Sequence, residues 1–180
     1  MPSAETVQKQ VDADIADPSR YEGTAVNPRT FLATDYLNHF NEAVMLLELA
    51  GDMPECIEDL KFWAPKSYIA HFEDSVFKDR HLCIEAYEFV APEMMARFND
   101  VIARLDTGVL EARDTLNAVA EAGDPEQMRY MSTSFTVPLR TLIDEASGII
   151  NGVDNASLGE TASEPEHIDA TQATIDALFD

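Results

Sequence analysis

Basic residues are scarce in this chain, and their scarcity excludes several classes of partner. Lysine and arginine number 12 against 34 aspartates and glutamates, so the 180-residue chain carries a net charge of −22 at pH 7. A surface this acidic repels the phosphates of nucleic acids and the headgroups of anionic lipids. We therefore expect no nucleic-acid partner and no membrane partner, whereas a basic protein or a metal ion is easier to accommodate.

Long apolar runs and secretory features are also missing. No stretch reaches the roughly 18 apolar residues that a membrane-spanning helix needs, and the N-terminus lacks the basic start and apolar core of a signal peptide. The only cysteines are Cys56 and Cys83, which do not have CxxC spacing. We interpret both as buried thiols of a cytoplasmic protein, and Trp63 as a core residue.

Strand signals are absent, because the sequence has neither alternating β-branched runs nor an Asn-Gly hairpin turn. Apolar residues instead recur at helical spacing along four long segments: 30–50, 67–90, 92–122 and 125–150. A short helix is expected at 55–63. Long helices with short connections favour an all-α fold, specifically an antiparallel four-helix bundle. The inward side of segment 67–90 is predicted to hold Tyr68, Phe72, Val76, Cys83 and Tyr87.

Cap and breaker residues mark the ends of these helices. Thr30 is the expected N-cap of the first helix and Ser67 that of the second. Asp124 and Pro125 have the order of an N-cap followed by a first helical residue. Pro138 lies inside the last segment, where a proline is expected to kink or split a helix.

The chain divides into four regions. Residues 1–29 are predicted to be a mobile N-terminal arm with a weak helix, and residues 30–151 the helical bundle. Residues 152–167 combine glycine, serine, threonine, proline and acidic residues with no lysine or arginine, which predicts a disordered linker. Residues 168–180 are predicted to form a short amphipathic helix, since their apolar residues share one stripe. A helix this short is marginal alone and needs a surface to pack on.

That terminal segment resembles a known docking peptide. Residues 171–180 read Thr-Gln-Ala-Thr-Ile-Asp-Ala-Leu-Phe-Asp. They are similar to the C-terminal peptide of the CheZ chemotaxis phosphatases and the N-terminal peptide of the flagellar switch protein FliM. Both families carry an (S/T)-Q-x-x-(I/V)-D-x-L-L pattern that docks on the response regulator CheY. The resemblance implies that a CheY-like receiver is bound by Gln172, Ile175, Asp176, Leu178 and Phe179. Packing of this helix on its own bundle is the alternative.

Helping a receiver to lose its phosphoryl group requires two functional groups. A carboxylate engages the receiver's lysine, and a carboxamide orients the attacking water. Asp35 and Asn38 supply this pair on the polar face of the first long helix, and we predict them as catalytic residues. Two other pairs share the spacing: Asp114 with Asn117, and Asp124 with Gln127. The D-x-x-x-Q motif of CheZ is missing, and the spacing is nearer to the E-x-x-N of the CheC and CheX phosphatases. A receiver-binding adaptor without activity therefore stays open.

Two histidine pairs offer alternatives. His39 with Glu42, and His71 with Asp74, have the i, i+3 spacing of carboxylate–histidine metal sites in helical bundles. Their order is reversed and the helical wheel places them outward, so we expect solvated faces and no metal or cofactor, apart from Mg²⁺ held by a receiver. Neither histidine has the neighbouring lysine of a phosphotransfer domain. A non-catalytic helical scaffold and a metal-binding bundle are the competing functions, and homodimer formation is left open.

Overall fold

The structure is a computed structural model that describes residues 13–153. Within that range lie six complete α-helices: α1 (Asn38–Ala50), α2 (Cys56–Leu60), α3 (Tyr68–Asp74), α4 (Arg80–Tyr87), α5 (Pro92–Ala122) and α6 (Pro125–Ile150). Two 3-10 turns, Pro18–Tyr21 and Thr34–Leu37, precede α1. The same range contains no β-strand, only an isolated bridge between Val26 and Ala33. The all-α prediction is confirmed.

Helices α5 and α6 form a hairpin, and the sequence predicts where α5 ends and where α6 begins. Gly123 ends α5 in the left-handed conformation at φ 70°, which glycine adopts without strain. The Asp124 side chain then caps α6 by accepting hydrogen bonds from the backbone N–H groups of Glu126 and Gln127. Pro125 is the first helical residue, where its missing N–H has no cost. These local signals make the tight connection between the two longest helices.

Contacts along the hairpin show that its helices run antiparallel. Arg104 Nη1 of α5 donates to Glu145 Oε1 of α6 at 3.2 Å, and farther along α5, Gly108 approaches Leu139. Residues later in α5 therefore meet residues earlier in α6. Helix α6 runs through Pro138 without a break, so of the two predicted outcomes, a kink or a split, the split does not occur. The proline is exposed, so its ring lies in solvent rather than among packed side chains.

Helix α1 packs on this hairpin, mainly on α6. The buried Ser132 hydroxyl donates to the Leu47 carbonyl at 2.7 Å, which satisfies a polar group inside the interface. At the rim, Arg140 donates from Nε and Nη2 to the two carboxylate oxygens of Glu48, both at 2.6 Å. This paired geometry is the stronger form of an arginine–carboxylate contact.

The first long helix begins later than predicted. Thr30 is not its N-cap, because the helix begins only at Asn38; the Thr30 hydroxyl instead donates to the Ile150 carbonyl at 2.5 Å. Between Thr30 and the 3-10 turn Thr34–Leu37 the chain is non-helical, and α1 starts at Asn38. Thr30 thus ties the entry of α1 to the end of α6, a long-range contact that helix-capping rules cannot anticipate.

The predicted continuous helix 67–90 is wrong. Ser67 caps α3 as expected, but α3 stops at Asp74 because Ser75 is extended, with ψ 149°. Ser75 Oγ accepts a hydrogen bond from the Phe77 backbone N–H at 2.9 Å, a local bond that competes with helix formation. Val76, predicted to point inward, is fully exposed. Within residues 13–153, three of the four predicted long helices are present, and α3 and α4 replace the second.

The described part of the predicted N-terminal arm, residues 13–29, contributes to the core. Tyr21 and Val26 are fully buried, and the Tyr21 hydroxyl donates to the Ile15 carbonyl at 2.8 Å. Arg29 Nη2 donates to the Asn151 carbonyl at 2.8 Å. The segment before α1 therefore packs on the helices and meets the end of α6.

Candidate functional site

The structure brings the predicted acid–amide pair together at the start of α1. Asp35 lies in the 3-10 turn and is half-buried, whereas Asn38 is the first residue of α1 and is exposed. Both line an open cavity of about 390 Å³, which we call the acid–amide cavity. Its other lining residues are Thr34, Leu37 and Asn41 from the first helical segment and Ile143, Asp144 and Ser147 from α6.

The lining of this cavity limits its chemistry. Carboxylates and carboxamides can accept hydrogen bonds, and the amides can also donate them. None of the lining residues is a lysine, arginine or histidine. A phosphoryl group is stabilised chiefly by cations. The cavity can therefore assist a phosphoryl group only if another molecule supplies the positive charge, as a receiver does with its lysine and Mg²⁺.

The two competing pairs are used in local structure. Asp124 is the N-cap of α6, so its carboxylate is occupied by backbone N–H groups. Asn117 Nδ2 donates to Glu121 Oε1 at 3.2 Å, and Asp114 Oδ1 accepts from Arg113 Nε at 2.9 Å. Asp35 and Asn38, in contrast, line one cavity together.

A second cavity near α1 contains both predicted histidines. The rings of His39 and His71 have centroids 6.2 Å apart. They line an open cavity of about 410 Å³, the histidine cleft, together with Asn38, Glu42, Lys66, Asp74, Ser75 and Val76. We expected solvated outward faces, but both rings are half-buried. His39 is covered by a residue that is distant in the sequence, since its ring stacks on that of Trp63 with centroids 4.8 Å apart.

Burial sets the charge of these histidines. It lowers the pKa of both His39 and His71 below the usual 6.5, so both rings are neutral at pH 7. For His39, a hydrogen bond of 3.0 Å between Nε2 and the Ala64 carbonyl raises the pKa and so opposes the effect of burial. Lys66 adds to the lowering of the pKa of His71, while its own ammonium lies 3.0 Å from Asp74 Oδ2.

Neutral imidazoles can ligate metals, but a site needs further ligands in reach. Among residues 13–153, no group of three or more histidine, cysteine, aspartate or glutamate side chains is placed to hold a metal ion. The metal-binding alternative therefore gains no support from the described part of the chain.

The surroundings of the two cysteines and of Trp63 indicate structural roles for these side chains. Cys83 is buried, and burial raises the pKa of its thiol to about 12, so it is protonated and unreactive. Cys56 is half-buried rather than buried as predicted, and neither cysteine forms a disulfide. Trp63 is in the core as predicted, and its indole N–H donates to the His39 carbonyl at 3.0 Å.

The predicted receiver-docking residues lie outside the described range. They are Gln172, Ile175, Asp176, Leu178 and Phe179. The predicted linker lies outside that range from residue 154 onward, as does the N-terminal arm before residue 13.

Comparisons with protein-family models, with curated proteins and with solved structures find no match for this chain. None of the helices between residues 13 and 153 combines the length and apolar character needed to cross a membrane. Function is therefore inferred from the chemistry of the chain itself.

Proposed function

We propose that this chain binds a CheY-like receiver domain and promotes hydrolysis of its aspartyl-phosphate. The observation that carries the catalytic half is the acid–amide cavity, because Asp35 and Asn38 lie on its wall with the functional groups that such a reaction needs. The docking half is supported by the resemblance of residues 171–180 to receiver-binding peptides.

The division of labour follows from charge. The receiver supplies the phosphoryl group, its lysine and its Mg²⁺, so this chain needs no cofactor of its own. The Asp35 carboxylate accepts a hydrogen bond from the receiver's lysine, and the Asn38 carboxamide holds a water in line with phosphorus. Attack of that water breaks the bond between phosphorus and the receiver's aspartate oxygen, releasing inorganic phosphate and the free carboxylate.

Docking is tested by calorimetric titration against CheY-like receivers, with and without the phosphoryl mimic beryllofluoride. We expect the full chain to bind, and a chain ending at Asn155 to lose binding. The shorter chain retains every described residue, so its circular dichroism provides the folding control. Binding of both chains with equal affinity would remove the terminal peptide from the proposal.

Point variants sharpen this test. Phe179→Ala removes a large apolar group from the stripe and is expected to weaken binding by about 10- to 100-fold. Ala177→Ser lies on the opposite face of the predicted helix and serves as the matched control, with unchanged affinity. Equal losses in both variants would argue against a helix that docks through one face.

Catalysis is tested by phosphate release from a receiver phosphorylated with acetyl phosphate. Asp35→Ala and Asn38→Ala are each expected to slow release by about 100-fold, with receiver affinity changed far less. The controls are Asp114→Ala and Asn117→Ala, the pair with the same spacing on α5. If the full chain binds but does not accelerate release, it is a receiver-binding adaptor.

A scaffold is the second candidate, and exposed apolar side chains favour it. Phe62 is 90% exposed and Val76 is 100% exposed. Val76 lines the histidine cleft, and Phe62 lines a neighbouring cavity that also contains His39, Glu42 and Lys66. If the two side chains belong to one contiguous apolar patch, that patch is the kind of surface that marks a contact site. Sedimentation would show self-association that Phe62→Ser reduces and truncation at Asn155 leaves intact.

A further inference from the structure

A fourth cavity, whose lining includes four aromatic rings, lies between the 3-10 turn Thr34–Leu37, the start of α3, the end of α4 and the first half of α5. Its volume is about 300 Å³, and the rings that line it belong to Tyr36, Tyr68, Tyr87 and Phe98. We call it the aromatic cavity. Pro65, Lys66, Ser67, Asn99, Ile102 and Asp106 complete the lining. Helical periodicity alone predicts buried aromatic residues here, but not a cavity.

The four rings form one connected wall. Tyr68 and Tyr87 are stacked, with centroids 4.6 Å apart and planes 14° apart. Tyr36 is 5.3 Å from Tyr68 and 5.9 Å from Phe98, also centroid to centroid. Tyr36, Tyr68 and Phe98 are almost fully buried, so the wall is held by packing on its outer side.

Asp106 supplies an unsatisfied acceptor at this wall. Its Oδ1 atom is shielded from solvent and has no hydrogen-bond partner among the described residues. A partly buried carboxylate without a partner is costly, and a cation beside it offsets that cost through its charge. Burial also raises the pKa of this carboxyl to about 6, so at pH 7 it is mostly ionised, and none of the ion pairs formed within residues 13–153 includes it.

We propose that the aromatic cavity binds a small organic cation of the alkylammonium class, with its charge at the Asp106 carboxylate and its alkyl groups against the tyrosine and phenylalanine rings. Ring faces attract cations through their negative quadrupole, and a nearby carboxylate adds to that attraction. A volume of about 300 Å³ lies at the small end of ligand cavities, which suits a ligand of this size.

Charge favours a cation over a neutral or anionic ligand. The net charge of −22 draws cations toward the protein and repels anions. Lys66 is the one basic residue in the lining, and its ammonium already lies 3.0 Å from Asp74 Oδ2. A neutral alcohol could donate to Asp106, but it would leave the carboxylate charge uncompensated.

The test compares choline with dimethylbutanol, in which a carbon atom replaces the charged nitrogen. Calorimetry on the full chain is expected to show saturable binding of choline and at least about tenfold weaker binding of the alcohol. This experiment needs no receiver, so its outcome is independent of the proposed phosphatase function. No choline binding at millimolar concentration, or equal binding of both compounds, would overturn the proposal.

Variants separate the charge from the rings. Asp106→Asn keeps the shape and is expected to weaken choline binding by about tenfold or more, while Asp114→Asn, an exposed acid on the same helix, leaves it unchanged. Tyr87→Leu removes a half-buried ring and is expected to weaken choline more than dimethylbutanol. Circular dichroism confirms that each variant is folded. Unchanged choline affinity in Asp106→Asn would exclude the carboxylate as the binding group.

Discussion

At the scale of single residues, desolvation sets the ionisation of the groups that line the cavities. It raises the pKa of Asp106 and lowers the pKa of His39 and His71, and in each case it favours the uncharged form. The consequences for stability have opposite signs. A lowered histidine pKa removes stability as pH falls below about 6.5, whereas a raised aspartate pKa removes stability as pH rises from about 4 to about 6.

We predict that Asp106→Asn stabilises the protein at pH 8 and not at pH 4. The pKa of Asp106 rises from 3.8 to about 6, which at full burial would correspond to ~3 kcal/mol. Partial solvent exposure reduces the expected gain in unfolding free energy to about 1 kcal/mol. Tyr36 and Tyr68, which line the aromatic cavity with Asp106, stay neutral at pH 8, because burial raises their pKa.

Urea denaturation at both pH values measures this difference. Asp114→Asn is the control, since the carboxylate of Asp114 is exposed and its removal leaves no buried group changed. An Asp106→Asn stability change that is the same at pH 4 and pH 8 would show that the buried charge is not its cause.

At the scale of elements, two glycines inside helices have different surroundings. A Cβ added to Gly108 of α5 would lie 2.9 Å from Cδ2 of Leu139 on α6, closer than packed carbon atoms approach. A Cβ added to Gly148 of α6 would have no atom outside its own helical turn within 4 Å. Gly108 therefore permits the close approach of α5 and α6, whereas Gly148 only weakens its helix.

We predict that Gly148→Ala raises the free energy of unfolding by about 0.5–1 kcal/mol, the difference in helix propensity between the two residues. Gly108→Ala gains the same propensity but must displace the buried Leu139, so it is expected to be about 1 kcal/mol less stable than Gly148→Ala. Thermal unfolding of the two variants makes the comparison, each serving as control for the other. Equal gains would mean that α5 and α6 separate without strain.

At the scale of the whole molecule, self-repulsion is the dominant electrostatic term. The net charge of −22 means that like charges within the chain repel one another. The ion pairs that oppose it, such as Arg140 with Glu48 and Arg129 with Asp52, lie at the surface, where single pairs contribute little. Screening should therefore relieve more repulsion than it removes attraction.

We predict that raising sodium chloride from 10 to 150 mM at pH 8 stabilises the full chain by about 1 kcal/mol, or ~2–4 °C in melting temperature. The neutral-charge control is the same titration at pH 4, where many carboxylates are protonated and the salt effect is expected to shrink. A melting temperature that falls with salt at pH 8 would show that attractive pairs outweigh the repulsion.

The sequence by itself determined the helices with strong local signals. Glycine and proline positions and one aspartate cap placed the ends of α5 and α6, because caps and breakers act within a few residues. The adjacency of Asp35 and Asn38 was also predictable, since residues three apart share a helical face. Residues 171–180 give the receiver-docking hypothesis, which stays a prediction.

Tertiary structure alone decided what depends on distant partners. The burial of His39 and His71 and the assembly of the aromatic cavity around Asp106 both involve residues far apart in the chain. Helical periodicity predicts which side of a helix is apolar, but it does not predict which other helices that side packs against. The local conformational preferences of the chain can therefore be predicted from the sequence. Cavities and shifted pKa values, in contrast, arise only when packing brings separate segments together and excludes water.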